Sequence, residues 1–156
     1  ATGAIIAIIA IYLSFNKLYL DPLEQEAHAD MYMAEMYFEK DSFNLALNGD
    51  GQFLGFLDVS NEYNLTNAGN LANYYAGLCY LHTAQYEEAI DQYMTVNTKY
   101  PNSPGSLKSL NKSADIYEKK MKDKDKAIEV LNMITANYSE SRDAKKAQRR
   151  IKKLSK

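Results

Sequence analysis

Residues 70–103 read NLANYYAGLCYLHTAQYEEAIDQYMTVNTKYPNS, and their spacing decides the fold. Counted from Asn70 as a 34-residue unit, Gly77 falls at position 8, Tyr80 at 11, Ala89 at 20, Tyr93 at 24 and Pro101 at 32. The pattern predicts two antiparallel helices joined by a short turn. Gly77 and Ala89 are small, which lets the helices approach, and they are expected to face one another across the pair. Tyr80 and Tyr93 fill the space beside that contact. Pro101 ends the second helix because it has no backbone donor.

The same spacing recurs on both sides. Upstream, EAHADMYMAEMYFEKDSFNLAL places Ala34 at position 8, Tyr37 at 11 and Ala46 at 20, with a turn at 40–42 and Asp41 or Ser42 capping the second helix. This unit starts 43 residues before the central one, and the surplus is read as a tight turn at NGDG (48–51) followed by a further helix over 52–63. An EF-hand reading of NGDG fails because its alternating oxygen ligands and closing Glu are missing. Downstream, Ala114 and Tyr117 take positions 8 and 11 while Ala127 arrives one residue late, so a single insertion is expected in the turn KKMKDKDK. Residues 138–141 repeat 100–103 with a displacement of 38. The last amphipathic stretch, 142–154, turns Ala144, Ala147, Ile151 and Leu154 inward, as expected of a helix that closes the open end of a solenoid.

Together these positions resemble the tetratricopeptide repeat (TPR) family. The expected fold is all-α: a helix-turn-helix solenoid over 21–156, with repeats near 27–66, 70–103 and 107–141 and a capping helix at 142–154. Composition agrees, since three Pro, seven Gly and strong helix formers leave no strand candidate.

The N-terminus is of another kind. Residues 4–15, AIIAIIAIYLSF, are apolar apart from Ser14, and Leu18, Tyr19 and Leu20 follow Asn16 and Lys17. Twelve residues fall short of the ~20 that cross a bilayer, but the chain opens inside the apolar stretch. We therefore read 1–20 as a membrane anchor cut short at its N-terminus, with Tyr12 and Tyr19 at the interface. No A-x-A site follows, which argues against a signal peptide. Asp21 and Pro22 are expected to break this helix and start the next, as N-cap and first helical residue.

Charge is unevenly shared. Residues 21–100 hold thirteen acidic groups against Lys40 and Lys99, whereas 101–156 hold fifteen basic and seven acidic groups, predicting an electrical dipole. The basic run on 142–154 lacks interleaved aromatics, which argues against nucleic acid as a partner. No metal-ligand spacing, nucleophile motif or phosphate loop occurs, so no catalytic residue, metal or cofactor is expected. The lone Cys79 reads as a buried structural thiol.

What the resemblance implies is binding. The family's concave-face positions fall here on His28, Met31, Glu35, Phe38 and Glu39 in the first repeat; Leu71, Tyr74, Leu78, Leu81 and His82 in the second; and Lys108, Asn111, Asp115, Glu118 and Lys119 in the third. The carboxylate clamp of chaperone-binding TPR domains would need cations or amides at Met31, Glu35 and Tyr75 as well as at Lys108 and Lys112, and only the last two match. The wording of 41–90 is more narrowly similar to the membrane-anchored periplasmic TPR proteins of the YfgM type. That resemblance implies a single-pass protein of the bacterial inner membrane with its soluble domain in the periplasm. Its expected partners are translocon subunits, periplasmic chaperones or client chains. The alternative is a structural scaffold of another envelope complex.

Overall fold

A computed structural model describes residues 2–156, Thr2 by its backbone only; Ala1, at the start of the expected anchor, lies outside the described residues. The chain is 81% helix, with no strand among the described residues. It divides into two compact units, residues 1–72 and 73–156.

In the first unit, α1 (Thr2–Phe15), a π-helical segment (Asn16–Leu20) and α2 (Asp21–Glu39) follow one another without a break. This corrects the expected break at Asp21 and Pro22. Leu20 keeps helical geometry, Asp21 caps nothing, and its N–H donates to the Asn16 carbonyl five residues back. The widened turn accommodates Pro22, whose ring and missing donor would otherwise conflict with a tighter ladder. The helix over 3–39 is long and apolar enough near its start to cross a membrane, and none of its most apolar window is buried. Past the apolar stretch, Ala27, Met31 and Ala34 turn into a core with Ala46, Leu47, Phe56 and Val59 from α3 (Phe43–Asn48) and α4 (Phe56–Glu62).

The NGDG segment makes the expected tight turn. Gly49 stands at φ +76°, and a Cβ there would lie 2.3 Å from the Phe53 carbonyl oxygen. The Asp50 carboxylate accepts the N–H groups of Gln52 and Phe53 at 2.9 and 2.8 Å and the Tyr37 hydroxyl at 2.6 Å. With those amides engaged by Asp50, the following helix starts at Phe56 and not at Gln52 as the sequence suggested.

The second unit contains the C-terminal part of α5 (Asn67–His82), then α6 (Tyr86–Lys99), α7 (Pro104–Asp115), α8 (Lys124–Asn137) and α9 (Arg142–Leu154). Ala89 and Tyr93 are fully buried, and Gly77 is buried with them. A Cβ on Gly77 would come within 2.6 Å of the Tyr93 ring. The bare Cα is needed for that ring, one turn beyond Ala89.

The turns between paired helices repeat one device. A left-handed residue at Asp41, Ala84 or Lys122 ends the first helix, and the next residue precedes the second. In each case a tyrosine carbonyl at position 11 closes the turn: Tyr37 accepts from Ser42 N–H, Tyr80 from Gln85 N–H and Tyr117 from Asp123 N–H. The first two loops span five residues and the third spans six. The extra residue is thus taken up inside the helix, in the π-helical segment Ile116–Met121, and not in the turn as expected. Only Asp123 also caps with its side chain, accepting Lys126 N–H; Ser42 makes no such bond.

Between pairs, Ser103 and Ser141 serve as N-caps for α7 and α9, accepting from Ser106 and Ala144 N–H. Small Ser106, Ser109, Ser113 and Ala114 form the buried face of α7. Leu110, Val130, Leu131, Ile134 and Ala147 make the core beneath α9, with Ile151 and Leu154 packed at its edge.

Two expectations follow. Alanine favours a helix over glycine by ~1 kcal/mol, yet overpacking costs ~1–3 kcal/mol. Gly77→Ala should therefore lower the melting temperature despite its better propensity, and Gly77→Leu should lower it further. An unchanged melt for Gly77→Leu would contradict the ring-on-glycine contact. For Asp50, the Tyr37 hydroxyl and then the Phe53 and Gln52 amides hold the carboxyl below its ordinary value. A depressed folded-state value stabilises above the unfolded pKa of ~3.9 and is lost as pH falls through the folded value. Asp50→Asn should therefore destabilise near pH 7, and its deficit relative to the native chain should shrink at about pH 2.

Candidate functional site

One face of α7 is left without a helical partner. Residues Pro104, Leu107, Lys108, Asn111, Lys112 and Asp115 recur every three or four positions, so they share that face, opposite the small buried one. With Tyr74 of α5 and Asp143 of α9 they line an open depression of about 580 Å³. A smaller one of about 160 Å³ continues from it, lined by Leu81, Lys112, Asp115, Ile116, Lys119 and Lys120. From Pro104 to Lys120 the helix offers about 24 Å of length, room for about seven residues of an extended chain.

Tyr74 is half-buried, its ring 5.6 Å from that of Tyr93 and 6.3 Å from that of Tyr75. Burial, with a smaller contribution from Tyr75, raises its hydroxyl above the ordinary value, so it serves as a neutral donor or acceptor. Behind it, burial also raises the Tyr93 hydroxyl, and Cys79 is pushed up to about 12 by burial, leaving an inert thiol.

The charges divide unequally. Asp115 is held by Lys119 at 2.9 Å and by Arg150 at 2.7 Å, and Asp143 lies 3.4 Å from Lys146. Lys108 and Lys112 make no ion pair among the described residues. The depression therefore presents two uncompensated ammonium groups beside an apolar wall of Tyr74, Pro104 and Leu107. Asn111 donates to the Leu107 carbonyl at 2.9 Å, which holds its amide against the helix.

Of the sequence-predicted residues, Tyr74, Lys108, Asn111 and Asp115 come together here, and Leu81 and Lys119 line the continuation. Leu78 packs instead with Ala89, Ile90, Tyr93 and Ile116, and His82 is exposed at the end of α5. Glu118 is engaged by Arg150 at 2.6 Å and fastens α9 to the end of the α7 helix. In the first unit Leu71 is exposed on α5 and Glu35 is half-buried. Phe38, also half-buried, meets Phe43 and Phe56 edge-on at 5.5 and 6.3 Å. Met31 is 1% exposed and belongs to the core, which corrects its placement on a binding face.

Pro104, Leu107 and Lys120 were not singled out from sequence, although their helical spacing from Lys108, Asn111 and Lys112 marks the same face. Asp143 carries no such signal, because it arrives from another helix. Among the described residues no group of three or more His, Cys, Asp or Glu is placed to hold a metal ion.

Comparison with known proteins agrees with the geometry in this unit. Residues 71–103 and 109–141 each match the tetratricopeptide repeat model. No curated protein and no solved structure matches the chain. The chain thus carries tetratricopeptide repeats, and these point to a scaffold for protein–protein interaction.

Proposed function

We propose that this protein is a membrane-anchored scaffold that holds an extended segment of a partner protein along the open face of α7. The observation that carries the reading is the pairing of unneutralised Lys108 and Lys112 with the apolar wall of Tyr74, Pro104 and Leu107. A segment bearing carboxylates among aromatic or aliphatic side chains satisfies both. The apolar start of the 3–39 helix, exposed along its length, is the anchor.

The finer reading is an ancillary subunit of the bacterial Sec translocon: single-pass in the inner membrane, soluble domain in the periplasm, linking emerging chains to periplasmic chaperones. It rests on the resemblance of 41–90 to the YfgM type. In this reading Glu35, Phe38 and Leu71 of the first unit, and separately His82 of the second, are further partner contacts.

A fluorescent peptide of alternating Asp and Phe tests the site. Exposed ion pairs contribute up to ~1 kcal/mol each, so Lys108→Glu with Lys112→Glu should weaken binding about tenfold or more. Tyr74→Ala should weaken it at constant salt dependence. Affinity indifferent to both changes would move binding off this face. For the finer reading, the intact membrane form should copurify with a protein-conducting channel; recovery of other envelope scaffolds in its place would favour a structural role.

A further inference from the structure

The anchor and the first packed unit are joined without a linker, and this puts one corner of that unit at a defined height. Asp21 and Glu24 are the first acidic residues after the apolar stretch, and Glu24 lies about 6 Å along the helix axis from Leu20. Helical side chains tilt towards the N-terminus, so the Glu24 carboxylate lies on the anchor side of its own Cα. That carboxylate accepts the N–H groups of Asn67 and Ala68 at 2.7 and 2.8 Å, which pins the start of α5 at the same level.

The corner between α4 and α5 is tied down as well. The Tyr63 hydroxyl donates to Asp30 at 2.5 Å, and Thr66 donates to the Tyr63 carbonyl at 2.7 Å while accepting the Gly69 N–H at 2.9 Å. Leu65 stands on this corner, 57% exposed, two residues from Asn67. The polar layer on each side of a bilayer core is about 5–8 Å thick, which is the height at which Glu24 and Asn67 are held.

We propose that the corner formed by residues 63–67 rests in the lipid headgroup layer with Leu65 as its apolar contact, so that the first unit is seated on the bilayer surface. The inference rests on the reading of the apolar stretch as an anchor. Glu26, Asp30 and Glu62 lie around Tyr63 of the corner, so the contact is made by apolar insertion into a neutral surface and not by attraction to anionic lipid.

The test uses the full chain reconstituted in phosphatidylcholine vesicles, with an environment-sensitive dye on Ile9→Cys, Leu65→Cys or Lys40→Cys. Cys79 is fully buried and stays unlabelled. Lys40, at the far end of α2, lies about 30 Å along the helix from Leu20 and is the solvent control. The expected result is quenching at 9 by spin labels deep in the acyl chains and at 65 by spin labels at headgroup level, with none at 40. Quenching at 9 while 65 behaves like 40 overturns the seating alone. No quenching at 9 overturns the anchor, and the seating with it.

Discussion

The ring of Tyr93 lying on the bare Cα of Gly77 is the contact on which the second unit depends. It lets α5 and α6 close on each other, and it leaves no volume for a side chain at position 77. Tyr93 in turn carries Tyr74 on its face. Because Tyr74 walls the depression, the open face is built directly on the packing of the repeat. A disturbance of that small-against-large contact would reach the site through a single intervening ring.

A second constraint is the turn closed by the tyrosine carbonyl at position 11. It recurs at Tyr37, Tyr80 and Tyr117, always with a left-handed residue next to the closing amide. Left-handed geometry in Asp41, Ala84 and Lys122 is costly for residues with a Cβ, so the hydrogen bonds and packing of the flanking helices must over-determine it. Where one residue too many is present, the helix end widens to a π-turn at 116–121 and the closing bond spans six residues instead of five. The helix over 3–39 uses the same solution at 16–20, just ahead of a proline.

Electrostatics then select what the open face offers. Arg150 of the last helix binds both Asp115 and Glu118, so one guanidinium fastens α9 and also removes a negative charge from the depression. Lys146 does the same for Asp143. The positive character of the face comes from this pairing pattern, since the carboxylates lining it are already neutralised. Exposed pairs of this sort contribute little to stability, and their weight here lies in which charges remain unneutralised on the face.

The sequence by itself determined the elements of periodic origin: the helix pairs, the small and aromatic positions that define them, the apolar N-terminal stretch and the inward face of the last helix. These follow from spacing within a single segment, which a chain read residue by residue displays. Tertiary structure alone decided which partner each position meets. Gly77 lies against the Tyr93 ring, Met31 is core and not surface, and Asp143 and Arg150 reach the α7 face from a helix about 30 residues away. It also decided how irregularities are absorbed. Asp50 captures the amides that would have started α4 earlier, and a π-turn takes up a residue that counting assigned to a loop. The physical reason is common to these cases: the outcome is set by competition for hydrogen bonds and volume between residues far apart in sequence, and a periodic pattern carries no record of which competitor wins.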